Sequence, residues 1–244
     1  MTNSYNLSRN NKIVFFHGLN NNPQGFDPLI THFKNLGFET DLIILPCHGE
    51  NRQEAKTDKE ALHVFDQSMK RLQGTPYYAI AFSHGALYLE LWMEKNLPYK
   101  PEKQILLAPA LYIRKQQMIV RTLSFIPSFV KIMSLQPKKF RRYNILSARE
   151  YRILVQGILT WQKLKAKFKV PTMVIIDPLD ELVDAQVLKP ALEMLNPGLE
   201  VQTWERPNLK KGMGAHHIIF HPEYFGEAEW KDFTRKLESF LIKD

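Results

Sequence analysis

Six short runs of apolar, β-branched and aromatic residues, most of them followed by a stretch with helical spacing, constrain this chain more than any other feature. Lys12 to Phe16, Thr40 to Leu45, Tyr77 to Phe82, Gln104 to Ala108, Thr172 to Ile176 and Glu200 to Glu205 read as strands. Asp27 to Leu36, Lys59 to Leu72, Ala86 to Lys95, Ala185 to Leu195 and Glu227 to Ile242 have apolar residues at helical intervals. Gly37 and the Gly74-Thr75-Pro76 run act as stop signals. Apolar strands alternating with amphipathic helices predict an α/β fold: a mostly parallel sheet with helices on both faces. At 244 residues the chain is long enough to bury a large core without covalent staples. Its single cysteine, Cys47, cannot form an internal disulfide, which suits a reducing compartment.

One segment breaks the rhythm. From Leu111 to Lys169 there are fourteen Lys and Arg against one acid, Glu150. The chain as a whole carries +8, so the rest of it is acidic, at −5. This stretch shows no clear strand, several helical patches, and Pro127 and Pro137 as punctuation. It reads as an insertion into one α/β domain spanning residues 1–244. The polar residues from Met1 to Lys12 lack a secretory pattern, and no run approaches the ~20 apolar residues of a membrane helix. The expected location is cytoplasmic.

Chemistry concentrates in four loops, each after a strand. Ala81-Phe82-Ser83-His84-Gly85 joins a strand to a helix, a turn that lifts a serine clear of the sheet between small neighbours. The usual spelling has Gly two residues before the serine; here Ala81 replaces it. The competing reading of Ser83 is a helix cap. His17-Gly18-Leu19 follows the first strand, where a backbone N–H can turn toward a developing oxyanion. Asp177, Asp180, Glu181 and Asp184 lie just past another strand end, and His216-His217 precede the final helix. The order Ser, Asp, His is that of a hydrolytic triad.

With these motifs, and with Pro46-Cys47-His48-Gly49 after the second strand, the chain resembles the α/β-hydrolase superfamily. Within it the resemblance is to the small-lid lipase, carboxylesterase and serine aminopeptidase branch, and it covers Lys12 to Ile242. It implies Ser83 as nucleophile, Asp180 as the acid and His217 as the base, with His216 as the alternative base. The backbone N–H groups of Leu19 and His84 would form the oxyanion hole. Asp180 is favoured over Asp177 because Asp180-Glu181-Leu182-Val183 matches the family's Asp, two residues, Val; Asp177 reads as structural and Asp184 as a helix start. The resemblance also places residues 111–169 where this branch carries a helical lid. Met118, Ile119, Leu123, Phe125, Ile126, Phe129, Ile132 and Met133 would supply its apolar surface among the basic residues. That pairing suits an anionic membrane surface.

The expected activity is serine hydrolysis of carboxylic esters with a medium or long acyl chain, monoacylglycerol or lysophospholipid-like. The alternatives are an aminopeptidase or amidase, and a non-catalytic binding protein on the same fold. No cofactor is expected: there is no Walker lysine loop and no Gly-x-Gly-x-x-Gly. His217 and His221 stand four apart but have no accompanying Glu or third ligand, so no metal is expected either. Nucleic-acid recognition motifs are missing despite the basic segment.

Overall fold

The computed structural model describes residues 12–48, 55–95, 99–114, 127, 129–134, 136–209, 212 and 214–242. Six strands form one parallel sheet: β1 (Lys12–Phe16), β2 (Glu39–Ile43), β3 (Tyr78–Phe82), β4 (Gln104–Leu107), β7 (Thr172–Ile176) and β8 (Val201–Thr203). Their order is β2-β1-β3-β4-β7-β8. The register pairs Phe16 with both Ile43 and Ala81, Phe82 with Leu107, and Leu107 with Ile175, so the carboxyl ends of the strands lie side by side.

Alternation along each strand divides the core in two. Ile13, Phe15, Ile80, Phe82, Ile105 and Ile175 face one side, under α1 (Asp27–Asn35) and α6 (Glu227–Ile242). Val14, Phe16, Ala79, Ala81, Leu106 and Val174 face the other, under α2 (Asp58–Met69), α3 (His84–Met93), α4 (Ala148–Leu164) and α5 (Ala185–Leu195). Strands buried on both faces explain why they read as continuous apolar runs and not as alternating ones. The α/β expectation with helices on both faces of a mostly parallel sheet holds.

The basic segment departs from its sequence reading in one respect: it contains strands. β5 (Lys131–Met133) and β6 (Ile145–Ser147) form a separate antiparallel ribbon, with Ile132 opposite Leu146 and Met133 opposite Ile145. Three-residue strands, Lys131-Ile132-Met133 and Ile145-Leu146-Ser147, are too short to show a period. Immediately after them α4 packs on α2 and α3, burying Ile153, Ile158 and the whole of Trp161. The segment's single acid has a local task, since Glu150 Oε2 accepts from the Ser147 N–H at 2.6 Å and from its hydroxyl at 2.9 Å, capping α4. Met118, Ile119, Leu123, Phe125 and Ile126, expected from sequence as lid surface, lie outside the described residues, as does Gly49. Among the described residues no helix is long and apolar enough to cross a membrane.

Candidate active site

Strand order reverses between β1 and β3, because the chain leaves β1 to one side for β2 and returns on the other for β3. Crevices outside the carboxyl ends at such a reversal are where ligands enter open α/β sheets. Ser83 stands there, one residue past β3, at φ 52° and ψ −115°. This backbone is strained for any L-residue, and its surroundings hold it: Ser83 N–H donates to Leu107 O at 3.0 Å, and its carbonyl accepts from Ala110 N–H at 3.1 Å. Close approach behind the turn requires Gly85. A Cβ there would lie 2.5 Å from His17 O and 2.7 Å from Phe16 O.

The acid and histidine loops converge on this serine. Asp180 Oδ1 accepts from the N–H groups of Leu182 and Val183, both at 2.8 Å, which fixes the carboxylate. Its Oδ2 lies 2.8 Å from His217 Nδ1, and His217 Nε2 lies 2.9 Å from Ser83 Oγ. A carboxylate only accepts, so Nδ1 carries the proton and Nε2 is left as acceptor for the serine hydroxyl. All three side chains are buried, and Phe82 packs under the imidazole with centroids 4.8 Å apart.

Next to this chain of contacts runs a second Asp–His pair. His216 Nδ1 lies 2.9 Å from Asp177 Oδ2, and among the described residues its Nε2 is buried without a partner. The structure therefore brings His217, not His216, to Ser83. Asp184 caps α5 by accepting from Val187 N–H. Among the other histidines, His32 bonds Glu238 at 2.6 Å, and the His221 ring packs on Phe140.

Leu19 borders the cavity in front of Ser83, while His84 is the first residue of α3. Helix-initial N–H groups have no carbonyl one turn back, and among the described residues neither the Leu19 nor the His84 N–H donates to a turn, loop or cap carbonyl. The loop carrying Leu19 is held by histidines. His17 Nδ1–H donates to Gly18 O at 2.8 Å and its Nε2 accepts from Leu45 N–H at 3.0 Å. His48 Nδ1–H donates to Pro46 O at 2.8 Å and its Nε2 accepts from Asn20 N–H at 2.6 Å. Both rings are thus neutral. Burial, followed by the neighbouring His48, pulls the His17 pKa down to about 3, and burial pushes His84 well below its ordinary value. A histidine lowered this way costs stability once the unfolded chain protonates and the folded one does not. Full stability is present above pH 6.5, and it falls toward pH 3 by up to about 1.4 kcal/mol per pH unit for each such group. Urea unfolding measured from pH 7 to pH 4 is expected to show that decline, and His17→Gln to flatten it; an equal slope in the variant would remove His17 as the cause.

Residues that the sequence did not flag complete the frame. Asn20, at φ 58°, donates through Nδ2 to Ser134 Oγ at 2.8 Å and to Tyr143 O at 2.7 Å. Gln136 Nε2 donates to Leu19 O at 2.7 Å and Asn21 Oδ1 at 2.6 Å. The Asn20-Asn21-Asn22 run after the first strand was the available signal: amides in a loop need partners, and the basic segment supplies them to the Asn20 side chain, to Asn21 Oδ1 and to the Asn22 backbone N–H, which donates to Phe140 O at 2.8 Å. Arg206, likewise not flagged, and Glu181, which the sequence placed in the acid loop, also surround the histidine loop. Cys47 adopts φ 65°, a left-handed conformation that favours glycine, and its thiol points to Ala55 O at 3.6 Å.

In front of Ser83 and His217 lies a cavity of about 70 Å³, walled mainly by Leu19, Ile113, Leu146, Leu154, Leu182 and Val183. Asn20, Ser134 and Gln136 are its polar residues beside the serine and histidine, and no Asp or Glu lines it among the described residues. Among those residues no group of three or more His, Cys, Asp or Glu is placed to hold a metal ion.

No protein-family model matches the chain, and no curated protein matches it in sequence. Solved structures do match in fold. The Paleococcus ferrophilus monoacylglycerol lipase superposes with a TM-score of 0.69 at 17% identity, over 96% of this chain and 95% of that one. A soluble variant of the Saccharomyces cerevisiae monoglyceride lipase, in complex with a substrate analog, gives 0.72 at 14% identity over 96% and 86%. The Bacillus subtilis carboxylesterase CesB gives 0.60 at 14% identity over 96% and 84%.

Proposed function

From the α/β-hydrolase fold that this chain adopts, we propose a serine hydrolase of carboxylic esters with a medium or long acyl chain, monoacylglycerol or lysophospholipid-like. The observation that carries the reading is the pair of hydrogen bonds linking Asp180, His217 and Ser83 at the mouth of an apolar cavity. Ser83 Oγ attacks the acyl carbon while His217 Nε2 takes its proton, and Asp180 holds the imidazolium. The N–H groups of Leu19 and His84 receive the oxyanion; losing one such donor typically costs about 3–4 kcal/mol. His217 then returns the proton to the leaving alkoxide, and water, activated by the same imidazole, releases the acid from Ser83.

Ester hydrolysis is favoured over aminopeptidase action because a substrate α-amine needs a carboxylate, and none lines the cavity among the described residues. The lipase and esterase neighbours in fold agree with that preference. The described part of residues 111–169 acts in this reading as a basic insertion that walls the site with Ser134, Gln136, Leu146, Tyr151 and Leu154. Its ribbon turns Ile132 and Leu146 inward beside Leu19 and Tyr151, and leaves Phe129 81%, Met133 70% and Ile145 42% exposed. Lys131, Lys138 and Arg142 are exposed on the same segment, so apolar insertion and charge act together on an anionic lipid surface.

A fluorophosphonate probe followed by peptide mapping tests the chemistry: the adduct is expected on Ser83, with monoacylglycerol and lysophospholipid hydrolysed and aminoacyl-nitroanilides untouched. An unlabelled protein would be a binding protein instead, and turnover of nitroanilides would make it an amidase. For the surface, replacing Lys131, Lys138 and Arg142 by Gln removes about 3 kcal/mol at most of attraction to anionic vesicles. Co-sedimentation is expected to fall in the variant, and in wild type as salt shortens the Debye length from ~8 Å at 0.15 M to ~3 Å at 1 M. Wild-type protein that ignores anionic vesicles at low salt would reduce the reading to an esterase of soluble substrates.

A further inference from the structure

We propose that Arg206 is a positioning residue for the reaction, clamping the backbone on either side of His217 so that its imidazole stays aligned between Asp180 and Ser83. The proposal rests on the triad reading above. Arg206 is 2% exposed, and its planar fork is spent on one loop. Nη2 donates to His216 O at 2.5 Å, Nη1 donates to Ile218 O at 2.8 Å, and Nε donates to Asp177 Oδ2 at 3.0 Å. The carbonyls before and after His217 are therefore both held by one guanidinium, which is itself neutralised by a carboxylate with no exposure to solvent. That same Asp177 oxygen accepts from His216 Nδ1, and Asp177 Oδ1 accepts from Leu179 N–H at 2.8 Å, which anchors the clamp to the acid loop.

The other edge of the loop is held from the acid loop as well. Glu181, next to Asp180 in sequence, accepts from His216 N–H at 3.3 Å and from His217 N–H at 3.2 Å. His217 thus has both neighbouring carbonyls and its own N–H fixed by residues that do not border the cavity. A loop without regular structure has no ladder to hold it, and a base displaced by about 1 Å can cost ~100-fold in rate. The geometry also requires arginine: a lysine ammonium lacks the planar fork that reaches two carbonyls and a carboxylate at once. The Phe225 ring, 5.1 Å from the guanidinium carbon, closes the remaining face.

Five variants test this: Arg206→Lys, Arg206→Ala, Glu181→Gln and, as controls for the nucleophile and for the histidine resonance, Ser83→Ala and His217→Gln. Active sites are counted by fluorophosphonate titration, so kcat is expressed per competent site and partial unfolding does not enter it. For Arg206→Lys we expect kcat per site to fall ~10- to 100-fold with KM within about twofold, because Arg206 does not border the cavity. Glu181 uses one oxygen for each N–H, so Glu181→Gln keeps one of its two acceptors and is expected to lower kcat per site as well, by less than Arg206→Lys. Arg206→Ala should regain activity in millimolar guanidinium chloride but not in equal sodium chloride, since the cation refills the clamp.

A readout independent of turnover is the far-downfield imidazole proton resonance of the His217–Asp180 bond, identified by its loss in His217→Gln. In Arg206→Lys it is expected to broaden or shift. Arg206→Lys with wild-type kcat per site and an unchanged resonance would overturn the clamp while leaving the triad standing. Wild-type labelling that persists in Ser83→Ala would instead remove the triad reading, and the clamp with it.

Discussion

Alanine at Ser83 or at His217 is expected to lower kcat for a short soluble ester by ~10⁴-fold or more, whereas His216→Ala should cost tenfold or less. The first two groups share one proton across 2.9 Å, so each is useless without the other. For that reason the Ser83→Ala, His217→Ala double variant is expected to be little worse than either single one; groups that act as a unit are strongly non-additive. His216 has an acid partner at nearly the same distance, 2.9 Å against 2.8 Å, yet its Nε2 meets no group among the described residues. Its replacement loosens one contact of Asp177 and leaves the route from Asp180 to Ser83 intact. Single-turnover kinetics with a chromogenic ester provides the measurement. A larger loss at position 216 than at 217 would assign the base to the other histidine.

Gly85→Ala is expected to lower kcat/KM at least ~100-fold and to destabilise the fold by ~1–3 kcal/mol or more, although it adds one methyl group. The new carbon would fall 2.5 Å from one backbone oxygen and 2.7 Å from another, and no flexible side chain stands there to move aside. Relief comes only from separating α3 from the end of β1, which carries the Leu19 N–H away from the Ser83 turn. Two controls isolate that cause. Gly226→Ala, where no atom lies within 4 Å of the added carbon, should leave both activity and stability close to wild type. Ala81→Gly should leave activity within a few-fold and cost about 0.5–1 kcal/mol, the usual penalty for glycine in a strand. Urea unfolding alongside ester kinetics checks all three. Wild-type activity in Gly85→Ala would mean that the helix can retreat without disturbing the oxyanion arm.

These two small positions of the elbow differ for a reason that the pentapeptide alone does not reveal. Ala81 lies in β3 with its methyl group packed in the core shared with α2 and α3. Gly85 lies where two backbones touch. The family spelling treats both as glycine, but only the second is compelled by contact.

Composition and periodicity were sufficient for the architecture. Continuous apolar runs can be satisfied only by burial on both faces, and helices with one apolar stripe must cover them, so the α/β layers follow from the order of Val14, Phe16, Leu29, Phe33, Phe65 and their counterparts. The Ser83 turn was legible for the same local reason, since a strand, a tight turn and a helix are specified by neighbours in sequence. The ribbon of β5 and β6 was not. Its pairing of Met133 with Ile145 joins residues too far apart and too few to leave a period. Nor was the meeting of Asn20 and Gln136 with the loop after β1, because a hydrogen bond between distant loops leaves no pattern in either.

The choice between the two histidines shows the boundary most clearly. Asp177 and Asp180 follow one strand, His216 and His217 follow another, and residue types and spacing allow either pairing. Successive residues send their side chains in different directions, so the backbone path of the loop decides which ring meets Ser83, 134 positions earlier in the chain. That path is held by Arg206 and Glu181, whose partners are mostly main-chain atoms. Main-chain atoms are the same in every residue, and contacts made to them are invisible until the chain has folded.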